Sequence, residues 1–99
     1  MYRGTTPTLI LRLPIETSEI KEAYITFNQS NRNLIEKPLS ICSCEGNTIT
    51  LKLTQEETLR LDSRIKVNCQ IRGNFINGDT FTTTIKTLTV NDILKEGVI

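Results

Sequence analysis

Period-two alternation of apolar and polar residues in six segments, set apart by turns rich in Asn, Gly and Ser, predicts an all-β domain. Composition points the same way. Ile, Val and Thr, which suit a pleated and half-buried surface, are abundant, whereas the best helix former occurs only at Ala23. No strand–helix–strand alternation is present, so the strands are expected to pair antiparallel in two packed sheets, with one short helix near residues 55–61. The chain has no Trp and no paired-cysteine framework, so the expected sandwich is immunoglobulin-like in architecture only.

Each element follows from its own residues. In Thr8–Leu13, Leu9, Leu11 and Leu13 share one face, and Pro14 ends the strand. Residues 16–22 are polar apart from Ile20, and Thr17 or Ser18 is placed to cap a single helical turn. Glu22–Gln29 is the cleanest alternation, with Ala23, Ile25 and Phe27 inward and Tyr24, Thr26 and Asn28 outward. Residues 30–33 form a turn, residues 34–37 a third strand, and Pro38 its edge. Residues 39–44 read equally as strand or irregular link, and residues 45–47 as a turn.

Thr48–Leu53 turns Ile49, Leu51 and Leu53 inward. The pattern then breaks at Thr54-Gln55-Glu56-Glu57, a capping box with Thr54 as N-cap and Glu57 reaching back to it. So short a helix is held by packing rather than propensity, and Leu59 is its expected anchor. Residues 64–72 give a fifth strand with Ile65, Val67, Cys69 and Ile71 inward. Asn77-Gly78-Asp79 is the strongest hairpin signal. A loop of those three residues pairs Phe75 with Phe81 and Ile71 with Ile85 across to a sixth strand, 81–87, and aligns both apolar stripes. Val90–Leu94 reads as a short strand or a turn capped by Asn91-Asp92. Residues 1–7 are expected to form an N-terminal arm and 95–99 a flexible tail.

With 99 residues the chain makes a single domain. Twelve basic and 11 acidic residues balance, leaving no global nucleic-acid signal. No apolar run approaches the roughly 18 residues of a membrane span, and the N-terminus lacks a signal-peptide pattern, so synthesis in the cytoplasm is expected. Three cysteines (Cys42, Cys44 and Cys69) make a poor disulfide framework, and Cys69 reads as a small buried hydrophobe.

The sequence argues against catalysis. It contains no histidine, which removes His-based triads, His acid–base chemistry and the usual zinc-hydrolase ligands. Cys42-x-Cys44 is half a thiolate site with no second pair. Glu56 and Glu57 are adjacent carboxylates, but their place in the first helical turn gives them a structural role at the helix dipole. There is no glycine-rich phosphate loop and no calcium-loop spacing. No catalytic, metal or cofactor residue is therefore assigned. Lys52, Lys66, Arg72 and Lys86, with Arg64 nearby in sequence, are outward strand positions that would form a basic nucleic-acid face if strand order brought them together. Ile10, Leu34-Ile35, Leu88 and Val98-Ile99 are apolar residues that one inward stripe does not explain, which suggests burial against a partner or a second copy.

Three segments carry a family resemblance. They are Arg3-Gly4-Thr5-Thr6-Pro7-Thr8-Leu9 before a strand, Ile20-Lys21-Glu22-Ala23-Tyr24-Ile25-Thr26-Phe27-Asn28-Gln29, and the strand from Asn47 running into Leu53-Thr54-Gln55-Glu56-Glu57-Thr58-Leu59. Together they resemble small phage and prophage proteins of Gram-positive bacteria, similar to the N-terminal domain of siphovirus baseplate upper proteins. The likeness covers roughly residues 3–94. It implies a β-sandwich that helps attach a receptor-binding assembly to the tail, with other tail or baseplate proteins as partners and the virion as destination. The long C-terminal extension of a full baseplate protein is lacking, so the expectation is a small non-catalytic adaptor. Arg3, Thr5, Thr6, Pro7 and Tyr24 are its expected partner contacts, with Arg3 gripping a carboxylate and Pro7 holding the arm extended. The alternative expectation is a nucleic-acid-associated module using the basic face.

Overall fold

A computed structural model describes all 99 residues. The chain forms eight strands: β1 (Thr8–Arg12), β2 (Ile20–Gln29), β3 (Arg32–Pro38), β4 (Ser43–Glu45), β5 (Thr48–Lys52), β6 (Val67–Phe75), β7 (Thr80–Thr82) and β8 (Lys86–Leu88). One α-helix, α1 (Gln55–Leu59), and two 3-10 turns at Thr17–Glu19 and Leu39–Ile41 complete it. Two antiparallel sheets result. The smaller is ordered β1-β5-β4; the larger is ordered β3-β2-β6-β7, with β8 also on β6.

The alternation read from sequence sets which side chains enter the core. Leu13, Ile49, Leu51 and Leu53 from the small sheet meet Ile25, Phe27, Ile35, Val67, Cys69 and Ile71 from the large one. Tight turns follow from local chemistry. Ser30 and Asn31 both take positive φ, 49° and 62°, so β2 pairs with β3 through a two-residue hairpin and β3 starts at Arg32. Glu45 joins β4 and Gly46, at φ 57°, opens the turn into β5. Thr17 caps nothing; its buried hydroxyl donates to the Gly46 carbonyl at 2.7 Å and ties the first crossover to that turn.

The capping box is as expected. The Thr54 hydroxyl accepts from the Glu57 amide, and the Glu57 carboxylate accepts from the Thr54 amide. Glu57 also pairs with Lys37 of β3 at 2.7 Å, which fastens the helix to the large sheet. Burial alone would raise the Glu57 carboxyl pKa, but the Lys37 ammonium and the Thr54 amide together hold it below its usual value. Leu59 is not the anchor. It is only half-buried, because Thr58 and Leu61 turn inward, and the Thr58 hydroxyl donates to the Thr5 carbonyl.

Three further expectations are corrected. Ile65 lies before β6 and is 39% exposed, because residues 62–66 form a loop rather than strand. The β6–β7 hairpin turns one residue earlier, around residues 76–78, with Gly73 opposite Phe81 and the Phe75 amide donating to the Asp79 carbonyl. Phe75 and Phe81 still share a face and stack at 4.8 Å, because a slip of two residues preserves side-chain direction. The sixth strand is then broken. The Thr83 hydroxyl accepts from the Ile71 amide, and one extra residue enters before β8 pairs as Cys69–Lys86 and Val67–Leu88. That bulge turns Ile85 outward, to 60% exposure, instead of pairing it with Ile71.

The termini fold back on the body rather than extending. Tyr2 forms a parallel bridge with Asn91, and Val90 is buried. The expected flexible tail is tied at two points: Glu96 to Arg3, and both backbone groups of Ile99 to the Gln55 side chain.

Candidate functional site

Unequal sheets leave one strip of core incompletely covered. The small sheet ends at β1, while the large sheet continues to β7 and β8. Between these edges lies a cleft of about 450 Å³. Its floor includes Cys69, Ile71 and the stacked Phe75–Phe81 pair; Leu11 and Ile15 form the opposing wall. Arg12 and Lys86 also line the cleft, and neither forms a salt bridge within the chain. The thiol on the floor is not an activated nucleophile. Burial pushes Cys69 up to about 11, only partly offset by Lys86, and burial likewise raises Cys42 and Cys44.

The β1 edge beside this cleft is unpaired. Leu13 donates to Asn47, and Leu53 donates to Pro7, so the odd residues of β1 direct their backbone groups toward β5. By alternation, the N–H and C=O groups of Thr8, Ile10 and Arg12 point away from β5 into solvent. Ile10 is also 61% exposed. Bare strand edges beside apolar surface are the geometry used for strand addition by a partner.

The outer face of the large sheet is different in character. It is a shallow concavity of about 510 Å³ paved mainly with amides, hydroxyls and a few charges. Cross-strand register stacks these groups in rows: Asn33–Asn28–Asn68, Glu36–Thr26–Gln70 and Tyr24–Arg72. Gly73 permits close approach of β2, since a Cβ there would stand 2.3 Å from the Glu22 carbonyl oxygen. Tyr24 donates to Glu22 at 2.8 Å, and that carboxylate raises the phenol's pKa.

The residues expected to contact partners do not form one patch. Arg3 is engaged within the chain: it donates to the carbonyls of Leu59 and Leu61 and to the carboxylates of Asp92 and Glu96. A carboxylate does receive its fork, but that carboxylate belongs to the chain's own tail. Thr5 donates to the Tyr2 carbonyl and thereby shapes the arm. Thr6 is exposed and Pro7 half-buried, with the Pro7 carbonyl accepting from Leu53. Tyr24 lies on the polar face.

The basic face does not assemble. Lys52 projects from the outside of the small sheet, Arg72 from the outside of the large one, Lys86 lines the cleft, and Lys66 lies in the loop before β6. Sequence reasoning missed the cleft, because its walls come from segments about 60 residues apart that only the sheet order brings together. No family model matches the chain, and no curated protein or solved structure does.

Proposed function

We propose that this protein is a non-catalytic adaptor of a phage or prophage tail or baseplate, incorporated into the virion and acting through protein–protein contacts. The observation that carries the reading is the apolar cleft beside the free β1 edge. Its occupant is an extended segment of a partner protein. Backbone pairing to Ile10 and Arg12 supplies affinity, apolar side chains fill the space over Phe75 and Phe81, and acidic neighbours match the uncompensated Arg12 and Lys86. The sequence resemblance supplies the context of a tail assembly, and the absence of histidine agrees with a binding role. The dispersed lysines give the nucleic-acid reading no comparable support.

Quantitative mass spectrometry of particles purified after induction of the native host tests this. Fixed copies per particle that survive stringent washing are expected. An Ile10→Pro variant removes one outward N–H while leaving the β1–β5 pairs intact, and it should fold but fail to incorporate. Abundant protein in the lysate with none in particles refutes the adaptor reading. Undiminished incorporation of the variant refutes the strand-addition mode.

A further inference from the structure

We infer that the outer face of the large sheet is a binding site for a neutral oligosaccharide. This surface lies on the side of β6 opposite the cleft and meets it only at Gln70, so it is a different site from the one proposed for a protein partner.

The inference starts from polar groups that the fold leaves unused. An ordinary solvated sheet face mixes Lys, Glu and Thr, and its long side chains reach into water. Here Asn33, Asn28 and Asn68 lie side by side on β3, β2 and β6 at one end of the face, Gln70 follows along β6, and Asn74 stands at the opposite end, about 20 Å away at roughly 3.3 Å per strand residue. Within the face, the side-chain hydrogen bonds are Tyr24 to Glu22 and Gln70 to the Thr83 carbonyl. The side-chain oxygens of Asn28 and Asn74 are shielded from water and accept no hydrogen bond. Such an atom carries a cost of about 1–3 kcal/mol until a donor reaches it. Rotation about χ2 exchanges the oxygen and nitrogen of each amide, so either end can be turned toward a ligand that both donates and accepts.

The chemistry of the face selects the ligand class. Sugar hydroxyls are donors and acceptors at once, which matches adjacent amides better than a purely anionic or purely apolar ligand does. Glu36 accepts from hydroxyls, and Arg72 donates to them in a fixed fork. Tyr24, 40% exposed at one side, offers a flat ring to the C–H face of a sugar. Ile85, turned onto this face by the β-bulge, adds an apolar contact at the other boundary. A nucleic-acid strand fits poorly: the face carries Glu22 and Glu36 against a single Arg72, and one aromatic ring makes no stacking series. The concavity, at about 510 Å³, falls within the usual range for small-molecule sites and extends over several strands, as a linear ligand requires.

The test uses the whole chain, labelled and applied to a printed array of neutral and acidic oligosaccharides and single-stranded oligonucleotides. The expected result is binding to one or more neutral glycans. NMR titration with the best-bound neutral trisaccharide should then shift the side-chain amide signals of Asn28, Asn68 and Asn74 in a saturable way. Arg72→Ala and Asn68→Ala replace outward-facing side chains; each should leave the thermal midpoint in place and weaken binding by roughly tenfold. No glycan bound, binding confined to acidic glycans or oligonucleotides, or shifts that map to the cleft would each overturn the proposal. So would unchanged affinity in both folded variants.

Discussion

Replacing Gln29 with Met should cost this protein a large part of its stability. Gln29 ends β2 and is only 4% exposed. Its amide nitrogen donates to the carbonyls of Asp62 and Ile65, at 2.7 and 2.8 Å, and its oxygen accepts from the Asp62 amide at 2.8 Å. One side chain therefore satisfies three backbone groups of the loop between α1 and β6. Gln29→Met nearly preserves volume and removes all three bonds. At about 1 kcal/mol net per bond, the loss is roughly 3 kcal/mol, and orphaned groups that water cannot reach would increase it. A chain of this length has about 5–15 kcal/mol in all, so the midpoint should fall by roughly 12–24 °C. Urea unfolding measures it directly, as a drop in midpoint at constant slope. A Gln29→Glu variant sharpens the test. Its ionised carboxylate would face two carbonyl oxygens, so burial and repulsion raise its folded pKa, and the variant should recover stability relative to wild type as pH falls and the acid becomes a donor. A loss under about 1 kcal/mol for Met, or no pH dependence for Glu, would refute the assignment of Gln29 as the loop's anchor.

The same loop carries a pH signature. The Arg64 side chain and backbone amide hold the Asp62 carboxyl near 2, below its ordinary 3.8, so its contribution is complete above the ordinary value and is lost as pH falls through about 2. Carboxyl NMR titration should place the Asp62 midpoint in that range, and Arg64→Ala should return it upward; an unshifted midpoint in wild type refutes the pairing. At Gly73, a Cβ would lie 2.3 Å from the Glu22 carbonyl oxygen and 2.6 Å from the Ala23 Cβ, so Gly73→Ala should destabilise by about 1–3 kcal/mol by forcing β2 and β6 apart. Denaturant unfolding checks this, and an unchanged midpoint would mean that the two strands are not in such close contact.

What the sequence revealed, and what it withheld, follows from the range of each interaction. The faces of β1, β2 and β5 were legible because alternation is local, and the capping box because its two partners are three residues apart. The sandwich follows from those faces, since each sheet has one apolar side to cover. The hairpin register was not legible. Pairing Phe75 with Phe81 or with Asp79 leaves the same side chains inward, so hydrophobic pattern cannot separate the two. The β-bulge was hidden in Thr82-Thr83-Thr84, where residues of one type carry no alternation. The contacts of Arg3 within the chain were not legible because they run from Leu59 to Glu96, far along the chain, and an arm's docking leaves no local pattern.

Both proposed surfaces trace to the same unresolved quantity, strand order. Asn28 and Asn68, forty residues apart, each read alone as a solvated outward position; only the β2–β6 pairing makes them neighbours. Likewise, Leu11 and Phe81 become wall and floor of one cleft only because the small sheet is the narrower of the two. Strand β6 joins these surfaces. Its odd residues Cys69 and Ile71 floor the cleft, and its even residues Asn68 and Arg72 pave the amide face. A partner strand that reinforced the β1 edge would cover the odd side without touching the even one. Gln70 is the one residue that borders both surfaces, its amide donating to the Thr83 carbonyl at the cleft's edge, so a protein held by its cleft would still present the rest of its amide face outward.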